Sequence, residues 1–97
     1  MSLMEQLANI GSEVGRAARA KALGSDARSW AALERGLELF DLTLADERWR
    51  GRRREIARAR EVVCDFAIGD NAYRSSAESL DRYFLAFAVA ARAQRGA

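Results

Sequence analysis

Two pairs of opposite charges, each spaced by one heptad, constrain this chain more than anything else in it: Glu34 and Asp41, then Arg53 and Arg60. Residues seven apart share one face of an α-helix. If two such helices fold back on each other, the antiparallel register that sets Glu34 opposite Arg60 also sets Asp41 opposite Arg53. The apolar residues agree to within one position, since nearly the same register brings Leu37 to Ile56 and Trp30 to Val63. The chain is expected to turn back near residue 47, with the interhelical ion pairs Glu34–Arg60 and Asp41–Arg53 flanking a helical hairpin.

Composition fits this reading. The 97 residues contain no proline and twenty alanines, a mixture that favours uninterrupted helices over strands and long structured loops. That length is one domain, residues 1–97, with room for one hydrophobic core. The lone cysteine, Cys64, has no partner for an intrachain disulfide. No unbroken apolar stretch opens the chain as in a secretory signal, and none reaches the roughly 20 residues that span a bilayer. A cytoplasmic location and no membrane partner are therefore expected. The opening Met1, Ser2 and Leu3 have the look of an expression remnant.

Periodicity predicts four helices, at about 4–23, 26–46, 50–68 and 77–94. The first carries Leu7, Ile10, Val14 and Ala17 on one stripe, with Gly24 available to stop it. Beside that stripe run the small residues Gly11, Gly15, Ala18 and Ala22. Two glycines inside a helix cost about 1 kcal/mol each relative to alanine, and close approach of another backbone would compensate. The second helix starts at Ser25 or Asp26 and shows Trp30, Leu33, Leu37, Phe40 and Leu44 in a 3-4-3-4 seam. The third presents Ile56, Ala59, Val63 and Phe66. Ser75 and Glu78 have capping-box spacing before a fourth helix whose inner face holds Leu80, Tyr83, Phe84, Phe87 and Ala91. The fold class is all-α, an antiparallel four-helix bundle.

Four apolar residues exceed what one core takes. Leu39 and Leu42 point away from Leu37 and Leu44, and Leu85 and Val89 point away from Leu80 and Phe87. A helix apolar on most of its circumference is explained by a second buried face, in an oligomer or against another protein. These four residues are the expected interface.

Residues 48–60 hold seven arginines against one acid, Glu55. Such density, beside Trp49, suits phosphates, and Arg50, Arg54 and Arg58 are the candidates for nucleic-acid contact. The acid-rich stretches on either side and a whole-chain charge of +2 weigh against it, as does the general preference for arginine, fifteen to one lysine, throughout an alanine-rich chain. Arg74 and Ser75, in the loop entering the fourth helix, are candidates for a small-anion site because a helix N-terminus offers free N–H groups.

Catalysis is limited by what is missing. With no histidine there is no Ser-His-Asp triad, no Cys-His pair and no Glu-x-x-His metal motif. Cys64 falls at the edge of a core stripe and reads as packing. Glu61, Asp65 and Asp70 offer oxygen ligands, but Asp65 lies on the wrong side of its helix for a common site. No enzyme activity, metal or cofactor is expected.

The run Asn9-Ile10-Gly11-Ser12-Glu13-Val14-Gly15-Arg16-Ala17, together with Gly69-Asp70-Asn71-Ala72-Tyr73-Arg74-Ser75, resembles a family of small uncharacterised all-helical proteins of bacteria and archaea. The likeness covers most of the chain and carries over no functional residue. More distantly, the last three helices resemble in pattern the four-helix-bundle proteins of the ribosomal S23 and retroelement-accessory type. That resemblance implies ring oligomers and a basic surface. The resulting expectation is a non-catalytic interaction module that self-associates or binds another protein, with a nucleic-acid-binding accessory protein as the alternative.

Overall fold

The structure, a computed structural model, describes residues 1–96, with side chains through Ala93. Four α-helices alternate in direction: α1 Leu3–Ala22, α2 Asp26–Ala45, α3 Arg53–Ile68 and α4 Ala77–Gly96. The chain is all-α, an antiparallel four-helix bundle, and the described residues contain no strand.

Local chemistry sets the ends. Ser2 caps α1 reciprocally with Glu5, and Leu3 is buried, so both belong to the folded unit. Gly24 stops α1 at φ 81, a left-handed conformation that glycine takes without a Cβ clash. Between α2 and α3 lies a six-residue 3₁₀ segment, Glu47–Arg52, so α3 begins later than the expected start near Arg50. Asp46 accepts the Arg48 backbone N–H at 3.0 Å, and Trp49 leaves helical geometry at φ −106, ψ 20. The turn is pinned to α1, because the Trp49 indole N–H donates to the Gln6 side-chain carbonyl. At the carbonyl end of α2, where no basic residue sits in the last turn, Arg53 Nε donates to Leu44 O at 2.9 Å.

Leu7, Ile10, Val14 and Ala17 are buried as their stripe predicts, and so are Ile56, Ala59 and Val63 of α3 and Leu80, Phe84 and Ala91 of α4. Each large side chain buried this way, such as Ile10 or Phe40, contributes about 1.5–3 kcal/mol. On α2 the seam is only half right. Leu33 and Phe40 are buried, but the fully covered face also takes Ala32, Gly36 and Thr43, and Trp30 stands 53% exposed. The cause is α1, which lies close against α2: Gly36 faces Glu13 and Val14, and Ser29 Oγ donates to Ala17 O at 2.8 Å.

The small-residue stripe admits side chains rather than another backbone, and its far end, Ala22, is exposed. At Gly11 a Cβ would collide with Phe84 of α4, and at Gly15 it would meet Arg19 and Asp81. Helix α1 is therefore the centre of the molecule, tight against α2 on one side and α4 on the other. Helix α3 packs chiefly on α2, and its backbone scarcely approaches that of α4. The bundle is open along that side.

The hairpin register differs from expectation by one heptad. Arg60 Nε bonds Asp41 Oδ1 at 3.1 Å, not Glu34, and Arg53 Nη2 lies 3.4 Å from Glu47, not Asp41. Glu34 is exposed and enters no ion pair among the described residues. Two heptad-spaced pairs fit more than one register, and the segment Glu47–Arg52 selects this one by centring the reversal about three residues later than position 47, since each residue of displacement of a hairpin turn moves the opposed pairs by two.

Candidate functional site

Helix α4 carries the run Phe84-Leu85-Ala86-Phe87-Ala88-Val89-Ala90-Ala91, apolar around its whole circumference. Its buried edge meets α1. One flank, Tyr83, Ala86 and Phe87, lines the opening between α3 and α4. The outer edge shows Leu85 at 60% and Val89 at 57% exposure, as expected from their angle on the helix. Leu42 of α2 is likewise outward at 67%, whereas Leu39 is not. Leu39 packs half-buried against the core, because the covered face of α2 is turned toward α1 and takes in that flank.

The outer edge of α4 has a regular pattern. Glu78, Arg82, Leu85, Val89 and Arg92 follow one another at steps of 4, 3, 4 and 3, and all five are exposed. Neither Glu78, Asp81 nor Arg92 enters an ion pair among the described residues. Beside Leu85 a shallow groove runs over the α1 residues Ala8, Gly11 and Ser12.

Between α3 and α4 the missing backbone contact leaves a cleft of ≈ 570 Å³, floored by Leu3, Leu7, Ile56 and Phe87. Arg52, Glu55 and Arg58 stand along it, with Arg52 Nε bonded to Glu55 Oε2 at 2.7 Å. Burial, and then the charge of Glu55, raise the Tyr83 phenol above its ordinary pKa. The 3.6-residue pattern placed Tyr83 on the inner face and gave no sign of the cleft, which comes from unequal helix spacing.

The arginine cluster is mostly paired at home. Arg48 bonds Asp46 and sits 4.7 Å over the Trp49 ring, Arg50 pairs with Glu47, and Arg52 with Glu55. The Arg48 guanidinium holds the Asp46 carboxyl well below the usual carboxylate range. Of the three nucleic-acid candidates, Arg50 is thus engaged, while Arg54 and Arg58 enter no ion pair among the described residues.

The loop at 69–76 is organised from within. Asp65, at the end of α3, accepts the N–H groups of Ala72 and Tyr73 at 2.7 and 3.0 Å. Asn71 bonds Ser75 in both directions, at φ 54, and the capping box is Ser76 with Ser79 rather than Ser75 with Glu78. The N–H groups that an anion would need at Ser75 and Ser76 already have acceptors, and Arg74 projects into solvent. Asp65 is likewise occupied, and no group of three or more potential ligands for a metal ion occurs among the described residues. Cys64 is half-buried, with Arg60 Nη1 3.8 Å from its sulfur. No described helix is long and apolar enough to cross a membrane.

No family model, curated protein or solved structure matches the chain.

Proposed function

We propose that the chain is a non-catalytic helical interaction module of the cytoplasm that self-associates, chiefly through the outer face of α4. The observation that carries this reading is the pair Leu85 and Val89, both more than half exposed on a helix whose buried edge, Leu80, Phe84 and Ala91, is already taken up by the core. Both are already partly covered, so burying the rest of each would add only part of the about 1.5–3 kcal/mol that complete burial contributes. Leu42 adds a smaller apolar point on α2. Val89→Glu and Leu85→Glu are each expected to convert the oligomer to monomer in gel filtration while leaving helical content unchanged. An elution volume that neither variant moves removes the reading.

A second reading, nucleic-acid binding, is favoured by Arg54 and Arg58, which lie exposed on α3 and outside the ion pairs of the cluster. Its mark is an affinity for RNA or DNA that falls steeply with salt, since phosphate contacts release counterions. Arg54→Glu with Arg58→Glu would abolish that affinity; salt-independent or absent binding removes this alternative.

A further inference from the structure

We infer that the cleft between α3 and α4 binds a small amphipathic anion, an aliphatic carboxylate whose chain lies along the apolar floor and whose head group meets Arg58 and Tyr83. The inference goes beyond self-association and does not depend on it, because the cleft is lined by one chain alone. Its volume of ≈ 570 Å³ falls in the range of about 300–1,000 Å³ that small-molecule sites occupy, and like them it is apolar with a few polar groups at its edge. The floor residues Leu3, Leu7 and Ile56 are only 2–4% exposed, so an occupant that reaches them is narrow. A helix of another protein, about 10–12 Å across, would span the rims without touching that floor. Along α3 the lining runs from Arg52 to Ala59, about 10 Å at the helical rise, which suits a hydrocarbon chain of medium length.

The rim decides the charge of the head group. Helices α3 and α4 run in opposite directions, so Arg58, late on the α3 side, and Tyr83, early on the α4 side, stand toward the same end. Arg58 is exposed and enters no ion pair or hydrogen bond among the described residues. The Tyr83 ring is held edge-on against Phe84 and Phe87, with centroids 5.2 Å apart in each contact, and its hydroxyl has no hydrogen-bond partner among the described residues. Glu55, the one acid among the lining residues, already has its carboxylate on Arg52 Nε at 2.7 Å. A guanidinium and a phenol O–H are thus left free to donate at one end of an apolar slot. A carboxylate accepts from both, and its bond to the guanidinium is charge-assisted. An amphipathic cation would meet Arg58 as a like charge.

Isothermal titration calorimetry with decanoate, kept below its micelle concentration, tests this, with decyltrimethylammonium as the charge-reversed probe and circular dichroism as the check on folding. The wild-type chain is expected to bind one decanoate per chain, and decyltrimethylammonium about tenfold more weakly or not at all. Arg58→Gln is expected to weaken decanoate about tenfold, the scale of one charge-assisted hydrogen bond. Arg54→Gln removes an arginine outside the cleft and is expected to leave the affinity unchanged. Ala86→Phe, at an exposed lining position, fills the cleft and is expected to abolish binding at unchanged helical content. The site is overturned if the wild-type chain does not bind decanoate, if it binds both probes equally, or if neither Arg58→Gln nor Ala86→Phe changes the decanoate affinity. A monomeric chain that binds decanoate as described upholds this site and removes only the self-association reading.

Discussion

A methyl group added at Gly11 would lie 2.7 Å from Phe84 Cγ and closer still to its Cβ. This contact between the first and last helices explains why α1 tolerates a glycine mid-helix, and it gives a signed prediction. Alanine gains about 1 kcal/mol of helix propensity, but overpacking a close contact costs about 1–3 kcal/mol, so Gly11→Ala is expected to lower the melting temperature. At Gly15 the nearest atom is the end of the Arg19 side chain, which can swing away. There Gly15→Ala is expected to be neutral or stabilising, and equal losses at both sites would contradict the close α1–α4 packing.

The hairpin register is open to a double-mutant cycle. Arg60 with Asp41 is expected to show a coupling of about 0.2–1 kcal/mol, typical of a solvated pair, and Arg60 with Glu34 none. Coupling to Glu34 instead would restore the register that the heptad spacing alone suggests. By the same logic Arg60→Ala should destabilise more than Arg58→Ala, which has no ionic partner to lose.

Acid should loosen the turn at 46–49. Asp46 titrates below its ordinary 3.8 because Arg48 bonds its charged form. With the folded pKa depressed, the contribution is present in full above the unfolded value and is lost as pH falls through it toward the folded one. Asp46→Asn is therefore expected to flatten the fall in stability below about pH 4, measured as melting temperature against pH. An unchanged acid limb would contradict the Asp46–Arg48 contact.

Tyr83 gives the opposite limb. Its folded pKa is raised, first by burial beside the α3–α4 cleft and then by Glu55, so its contribution is complete below the ordinary value of 10.0 and is lost as pH rises beyond it. In a Tyr73→Phe background, the tyrosinate absorbance should appear above pH 10.0, and Glu55→Gln should bring it part of the way back. A midpoint at or below the ordinary value would mean that Tyr83 does not face the cleft.

The core of α1 was legible because one 3.6-residue stripe, Leu7 through Ala17, meets neighbours that are all apolar. The outward set on α4 was legible for the same reason, since its angle from Phe84 leaves Leu85 and Val89 nowhere to go. Where two helices touch, a single stripe says less. Leu39 lies on the flank of α2 that α1 covers, and only the closeness of Gly36 to α1 makes that flank interior. Ser75 looked like a cap because its spacing to Glu78 fits, but Asn71 takes up its backbone and Ser76 caps with Ser79. Heptad charges specify a register modulo seven residues, and the 3₁₀ turn at Glu47–Arg52 made the choice. The α3–α4 cleft depends on helix spacing, which no periodicity encodes.

The most direct test of self-association is the solution mass of the wild-type chain by light scattering after gel filtration, at low and at high salt. The account predicts a mass that is a multiple of the 10.7 kDa protomer, retained at high salt because Leu85 and Val89 carry the contact, and reduced to one protomer by Leu85→Glu. A wild-type mass of one protomer at both salts would contradict it.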